Sequence, residues 1–258
     1  MTDWRFTGLE FELLWSAYGR DRLPYPLQYR AEAADFSDLK QQREAAADAL
    51  MNRYAEDLER ALDVLLEPEA RIESKGLGET PSNVFRFHAG IRGGLGATLV
   101  QLPGHAADTG SDVIVSWCPA TQVAKRAVAA LPRTPPGTHP PIEVRREEVA
   151  ADRERHVRRP YEVSMAEQLD RIFKRRRLGL GEITVFAGAA VDARPAFGRG
   201  FWWMDYEDGR YFVKTGDPIV ARPLDAATMT AEINRLLART QRFFREDRDH
   251  DRSIGSQW

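Results

Sequence analysis

The strongest constraint on this chain lies between Gly200 and Leu237. Two aromatic-rich runs, Phe201-Trp202-Trp203-Met204-Asp205-Tyr206 and Tyr211-Phe212-Val213-Lys214, flank the pair Asp208-Gly209. Asp-Gly in that setting is a hairpin signal: a two-residue turn wants positive φ, which Gly adopts freely and Asp tolerates. Aromatic and β-branched side chains suit the pleated strands on either side. Along the first strand Phe201, Trp203 and Asp205 face one way, and Trp202, Met204 and Tyr206 the other. Both faces begin apolar, so this strand is either covered on both sides or shows one face to a partner. Ile219 to Arg222 reads as a further strand. From about Asp225 an amphipathic helix carries Met229, Ile233, Leu236 and Leu237 on one side.

The same order of elements precedes it. Trp4 to Phe6 is a short strand, and Thr7-Gly8-Leu9-Glu10 is a capping box opening a helix that stops at Gly19. Pro24 and Pro26 exclude helix. Helices are expected from Ser37 or Asp38 to about Arg53, and from Asp57 to Leu66. Strands are expected over Ala70–Gly76, Asn83–Ile91, Leu95–Leu102 and Asp112–Trp117, with a turn at Gly93-Gly94. Pro119 opens a helix with Val123, Ala127, Val128 and Leu131 inward. Ser164-Met165-Ala166-Glu167 caps another helix, which Gly179 and Gly181 end, and Glu182 to Ala187 is a strand.

Helix, four strands, helix therefore occurs twice, which argues for two similar halves. Strands joined by hairpins are antiparallel. Two four-stranded halves joined edge to edge would hide two sheet edges. The expected layout is an N-terminal half over 1–131, a Pro-rich and charged linker over 132–160, a C-terminal half over 161–245 and a disordered tail over 246–258. Together they form one domain of α/β (α+β) class. At 258 residues the chain needs no disulfide staple, and its one cysteine, Cys118, points to a reducing compartment. No signal peptide and no apolar run of ~20 residues is visible, so a soluble, cytoplasmic protein without membrane insertion is expected.

Several stretches in order resemble the EspG family of secretion-associated proteins from actinobacterial type VII (ESX) systems. They are Leu9-Glu10-Phe11-Glu12-Leu13-Leu14-Trp15 with the later step Pro26-Leu27, then Leu65-Leu66-Glu67-Pro68-Glu69, then Leu131-Pro132-Arg133-Thr134-Pro135-Pro136-Gly137. The last are Asp208-Gly209-Arg210-Tyr211 and Arg222-Pro223-Leu224-Asp225. The resemblance spans about residues 5 to 240. The basic stretch 153–159 and the charged tail have no counterpart in it. It implies a cytosolic, non-enzymatic chaperone with a central antiparallel sheet, flanking helical bundles and pseudo-twofold halves. It also implies a helical partner: mycobacterial members bind PE–PPE pairs at the tip of the PPE protein. A WxG-type pair is the other helical partner considered.

The residues support no chemistry. The five histidines stand apart in no ligand spacing, so neither metal nor cofactor is expected. No Gly-x-Ser-x-Gly occurs. Gly90 to Gly96 has glycines but no Lys-Ser/Thr, and reads as a hairpin turn. Arg171, Lys174, Arg175, Arg176 and Arg177 are a candidate for nucleic acid, weighed against a solvated helix end that complements the helix dipole. A formal net charge of −2 carries no basic excess, so no nucleic-acid partner is expected. A small-molecule enzyme with a cleft between the halves is the alternative from another class. The expected partner contacts are the rim turn Arg92, Gly93, Gly94 and Leu95, the aromatic Trp202, and the helical Met229 and Ile233. The chain is expected to be a monomer or homodimer.

Overall fold

The computed structural model describes residues 2–80, 82–155, 163–190 and 197–255, with side chains as far as Asp249. The first half comprises β1 (Thr2–Phe6), α1 (Gly8–Ala17), α2 (Phe36–Met51), α3 (Glu56–Leu66), β2 (Ala70–Leu77), β3 (Val84–Arg92), β4 (Leu95–Pro103), β5 (Gly110–Pro119) and α4 (Ala120–Ala129). The second comprises β6 (Ile142–Val144), α5 (Arg146–Glu154), α6 (Met165–Phe173), β7 (Gly179–Ala187), β8 (Arg199–Tyr206), β9 (Gly209–Lys214), β10 (Ile219–Pro223) and α7 (Ala226–Gly255).

All these strands join one antiparallel sheet in the order β1-β5-β4-β3-β2-β7-β8-β9-β10-β6. That order reads the same from both ends when each first-half strand is exchanged for its second-half counterpart. The two halves are thus related by an approximate twofold, centred where Ser74 faces Ile183 and Glu73 faces Thr184. β2 and β7 pair along their length, from Ala70 opposite Ala187 to Leu77 opposite Leu180.

Three expectations are corrected. The stretch 132–160 is more than a linker: it supplies β6, which closes the sheet edge on β10, and α5. Its Ile142, Val144 and Val149 are buried, an apolar pattern too short to stand out from the prolines and charges around it. The helix that Gly179 and Gly181 were to end stops at Phe173, and both glycines lie in β7. A Cβ on Gly181 would come within 2.7 Å of the Trp203 ring and 2.6 Å of the Lys75 carbonyl, so the strand is bare there to seat the indole. The tail from Glu246 is helical as far as Gly255, as a run free of Gly and Pro permits. Residues 156–159 of the basic stretch and 256–258 of the tail lie outside the described residues.

Two layers cover the sheet. On one face α4 and α7 pack on Ile72, Phe87, Ala89, Ile183, Val185, Phe201, Trp203 and Phe212. On the other, α1 and α3 cover the β3–β5 end through Leu58, Leu62, Leu65, Ala97, Leu99 and Val115. There α5 and α6 cover the opposite end through Val149, Leu169, Ile172, Met204, Tyr211 and Val213. The aromatic strand β8 has Phe201 and Trp203 beneath α4 and α7, and Met204 and Tyr206 beneath α5 and α6.

The prolines after α4 clamp the β8–β9 hairpin. Arg210 donates through Nε to Asp205 Oδ1 and through Nη2 to Oδ2, both at 2.7 Å, and Nη2 also reaches the Pro132 carbonyl at 3.0 Å. The Arg210 amide donates to Pro135 O (2.7 Å), the Gly137 amide to Arg210 O (3.0 Å) and the Leu224 amide to the same oxygen (2.9 Å). Gly209 sits at φ +130°, with Pro135 and Pro136 backbone 2.6 Å from where a Cβ would stand, so only glycine fits. Beside it, Asp208 accepts from Arg175 Nη1 (2.6 Å), from the Thr138 hydroxyl (3.0 Å) and from Tyr211 Oη. Burial raises the Asp208 carboxyl, but hydrogen bonds from Tyr211, Thr138 and Arg175 outweigh it and hold it well below the usual carboxylate range.

Asp205 and Arg210 are 5% and 4% exposed. Removing one partner of such a pair strands a buried charge, at roughly 3–5 kcal/mol. Arg210→Met is expected to lose about that much in urea unfolding. Adding Asp205→Leu should recover most of it, and a double variant as unstable as the single one would show that the Pro132 and Pro135 contacts carry the clamp instead.

Candidate partner-binding face

The face opposite α4 and α7 is covered at both ends and open in the middle. The open strip is made by the two central strands and the next one over. β2 contributes Glu73, Lys75 and Leu77, β7 contributes Leu180, Glu182, Thr184 and Phe186, and β8 contributes Trp202. Leu77 is exposed and the rest are half-buried. Their neighbours pointing the other way, Ile72, Ile183, Val185 and Trp203, are 0–1% exposed. The same strands are thus sealed on one side and accessible on the other.

Two cavities open on this side. One, of about 580 Å³, lies toward β9 and is lined by Thr184, Gly200, Trp202, Val213 and Lys214 among others. The other, of about 360 Å³, lies toward the α3 end and is lined by Leu66, Arg71, His88, Tyr25 and Ala189 among others. Tyr25 leans over the strip at 49% exposure. Burial raises its phenol, and the Glu182 and Glu73 carboxylates raise it further. The strip therefore combines apolar rings with a polar margin. Arg71 stacks over Phe186 at 4.6 Å and pairs with Glu73 at 2.7 Å. Both charges are held in place by these contacts.

The residues expected to contact a partner are not brought together. Trp202 lies on the open strip. Arg92, Gly93, Gly94 and Leu95 form the exposed β3–β4 turn, Leu95 at 47%. That turn stands at the end of the sheet where Ala70 meets both Ile91 and Ala187, beside the smaller cavity. Met229 and Ile233 are 0% exposed under α7 on the opposite face. They are core, and unavailable to a partner. Their spacing with Leu236 and Leu237 is the helix's one apolar stripe, and a stripe that seats the helix on the sheet cannot also be offered outward.

Tyr25, Lys75, Glu182, Thr184 and Phe186 were not foreseen. For all but Tyr25, which lies in the loop between α1 and α2, the signal is the alternation along β2 and β7, which becomes an open face only once those strands are known to pair. Three of the five cations in the basic run are paired. Lys174 pairs with Asp170 (2.6 Å), Arg175 with Asp208 (2.6 Å) and Arg176 with Glu79 (2.6 Å), and Arg175 lies over the Tyr206 ring at 4.4 Å. Among the described residues no three His, Cys, Asp or Glu side chains gather as metal ligands, and no helix is long and apolar enough to cross a membrane.

The model of the EspG family matches residues 7–235. The chain belongs to the EspG family. Among solved structures it is similar to the Mycobacterium tuberculosis type VII secretion system chaperone EspG5, determined in complex with the PE25–PPE41 dimer. The two share 15% identity over 92% of this chain and 96% of the other, with a TM-score of 0.59. At that identity the likeness is one of fold. No curated protein matches the chain. Three of the stretches that carry the family resemblance, Leu131 to Gly137, Asp208 to Tyr211 and Arg222 to Asp225, meet at the proline clamp. In this EspG family member they hold the hairpin that presents Trp202.

His88 gives the open face a pH dependence. It is 3% exposed, its Nδ1 lies 2.8 Å from Tyr25 O, and burial pushes its pKa down to about 4. The folded value lies below the unfolded ~6.5. The neutral ring therefore favours the fold above about pH 6.5, and that contribution is lost as pH falls toward 4. The loss is about 3 kcal/mol when complete. His88→Asn keeps a donor for Tyr25 without a titrating group, and its stability is expected to stay flatter between pH 6.5 and 4 in urea titrations. Parallel curves for the two proteins would mean that other groups govern the acid transition.

Proposed function

We propose that this EspG family member is a non-enzymatic chaperone of a type VII secretion system. It receives the end of a helical partner, a PE–PPE-type pair, on the open strip of its sheet and keeps that partner soluble in the cytoplasm before export. The observation that carries the reading is Trp202: a large, half-buried aromatic on the strand next to the seam, at the border between the open strip and the end roofed by α5 and α6. A strip that sets the rings of Trp202, Phe186 and Tyr25 around Glu73, Lys75 and Glu182 at the seam offers a helix tip both apolar contact and polar partners. The Arg92–Leu95 turn serves as one rim. EspG5, the similar solved structure, is itself bound to a PE–PPE dimer.

A small-molecule enzyme is the weaker reading. The halves meet in a continuous sheet, and the strongly shifted Asp208 is tied into the clamp. A further cavity, about 910 Å³ between α4 and α7, is lined by Val128, Leu131 and Leu224 with Lys125, Arg133, Arg210 and Asn234 at its polar side, and no acidic side chain lines it.

The test is co-expression with a PE–PPE pair encoded beside the gene, or failing that a WxG-type pair. Trp202→Asp places a charge where desolvation is expected. It should leave the far-UV circular dichroism unchanged and weaken co-purification by about 100-fold, the scale of an aromatic hot spot. Leu95→Asp should have the smaller effect of a rim residue. Full retention of the partner by a folded Trp202→Asp protein would move the interface off the strip.

A further inference from the structure

The outer face of α7 carries a charge pattern that the chaperone reading does not use. Arg235, Arg239, Arg242, Glu246 and Asp249 follow one another at steps of four, three, four and three residues. At 3.6 residues per turn they form one straight stripe. Met229, Ile233, Leu236, Leu237 and Thr240 are buried on the opposite side of the helix, so the stripe is off the side that seats α7, and Arg199 at the start of β8 is the sheet residue that reaches it, 6.0 Å from the Phe243 ring. All five of its residues are exposed, and Phe243 beside it is 52% exposed.

The stripe is basic for its first three positions and acidic for its last two. Arg235 is held by Glu232 at 2.7 Å. Arg239, Arg242, Glu246 and Asp249 have no ion pair among the described residues. Within one helix the arrangement is unfavourable. Arg235 and Arg239 are like charges at i, i+4, and Arg242 before Glu246 is the poorer order for a pair at that spacing.

We infer that α7 mediates an antiparallel homodimer, the basic half of each stripe lying against the acidic half of the other. An antiparallel pairing centred on position 244 sets Arg242 opposite the second copy's Glu246 and Arg239 opposite its Asp249. Each contact then occurs twice, as a twofold interface requires. Phe243 supplies the apolar contact next to the axis. The stripe spans roughly 20 Å at 1.5 Å per residue, a small interface held largely by charge. Such a dimer is weak and sensitive to salt, because exposed pairs are screened.

Charge exchange on the full chain tests this. At about 100 μM protein and low ionic strength, sedimentation equilibrium should give twice the 29.2 kDa chain mass, falling toward one chain as salt screens the pairs. Arg239→Glu/Arg242→Glu makes the stripe acidic beyond Arg235, which Glu232 already neutralises, and Glu246→Arg/Asp249→Arg makes it wholly basic. Each alone should be monomeric, with its dissociation constant raised at least tenfold, and an equimolar mixture should dimerise again. The milder Arg239→Gln/Arg242→Gln should weaken the dimer without reversing charge, which guards against misfolding of the reversed chains. A wild-type monomer under these conditions overturns the inference. So does a dimer that none of the variants weakens, or a mixture of two folded reversed chains that stays monomeric. Binding of a PE–PPE pair is read separately, so failure of either idea leaves the other standing.

Discussion

The pairing of β2 with β7 is the contact on which the rest of this molecule depends. It turns two five-stranded halves into one sheet and removes the two edges that each half would otherwise expose. It also fixes the coverage of the faces. α4 and α7 each come from a different half, and both lie on the same side of the joined sheet. On the reverse side each half keeps its own helices over its outer strands, so the seam is left without a roof. The open strip is a consequence of joining the halves edge to edge.

At Trp202 and Trp203 the pleat divides two jobs between adjacent residues. Trp203 is 0% exposed, seated where Gly76 and Gly181 leave space, with Arg210 stacked 4.9 Å from its ring. Trp202 points the other way, into the open strip. A one-residue slip of β8 would exchange the two. The register is held from outside the strand: Arg210 and Asp205 form a buried bidentate pair, and the Pro132–Gly137 segment hydrogen-bonds to the turn that follows. This joins the family-defining stretches to the presented surface without making them part of it. They are structural, and the surface they hold is free to differ in its contacts.

A surface kept for a partner, the role we propose for the open strip, is costly on a small protein, and here that strip is separate from the surface that stabilises the fold. The apolar stripe of α7 is fully used against the sheet, while its opposite side is wholly charged over its distal half. The open strip, by contrast, mixes rings with Glu73, Lys75 and Glu182, which keeps an unliganded apolar patch small.

Much of this fold was legible in the residues. The hairpin between the aromatic runs, the capping boxes at Thr7 and Ser164, and the stripes of α3 and α7 each follow from local rules, although the two turn residues are Glu207 and Asp208, and Gly209 already pairs with Tyr206 as the first residue of β9. The repeated order of elements was legible too, because chain order alone reveals it. What local rules could not supply is which edge meets which. β6 is three residues long, too short for a periodicity, and is a strand only because β10 offers it an edge. Gly181 looks like a helix terminator until the Trp203 ring occupies the space above it. Met229 and Ile233 were read as contact residues because exposure cannot be told from apolarity. An amphipathic helix has the same sequence whether its stripe meets a partner or its own sheet. That Trp202 faces away from Trp203 was legible because side chains alternate along a strand. That its face is the open one was decided by the β2–β7 seam, a contact between residues more than a hundred positions apart in the chain.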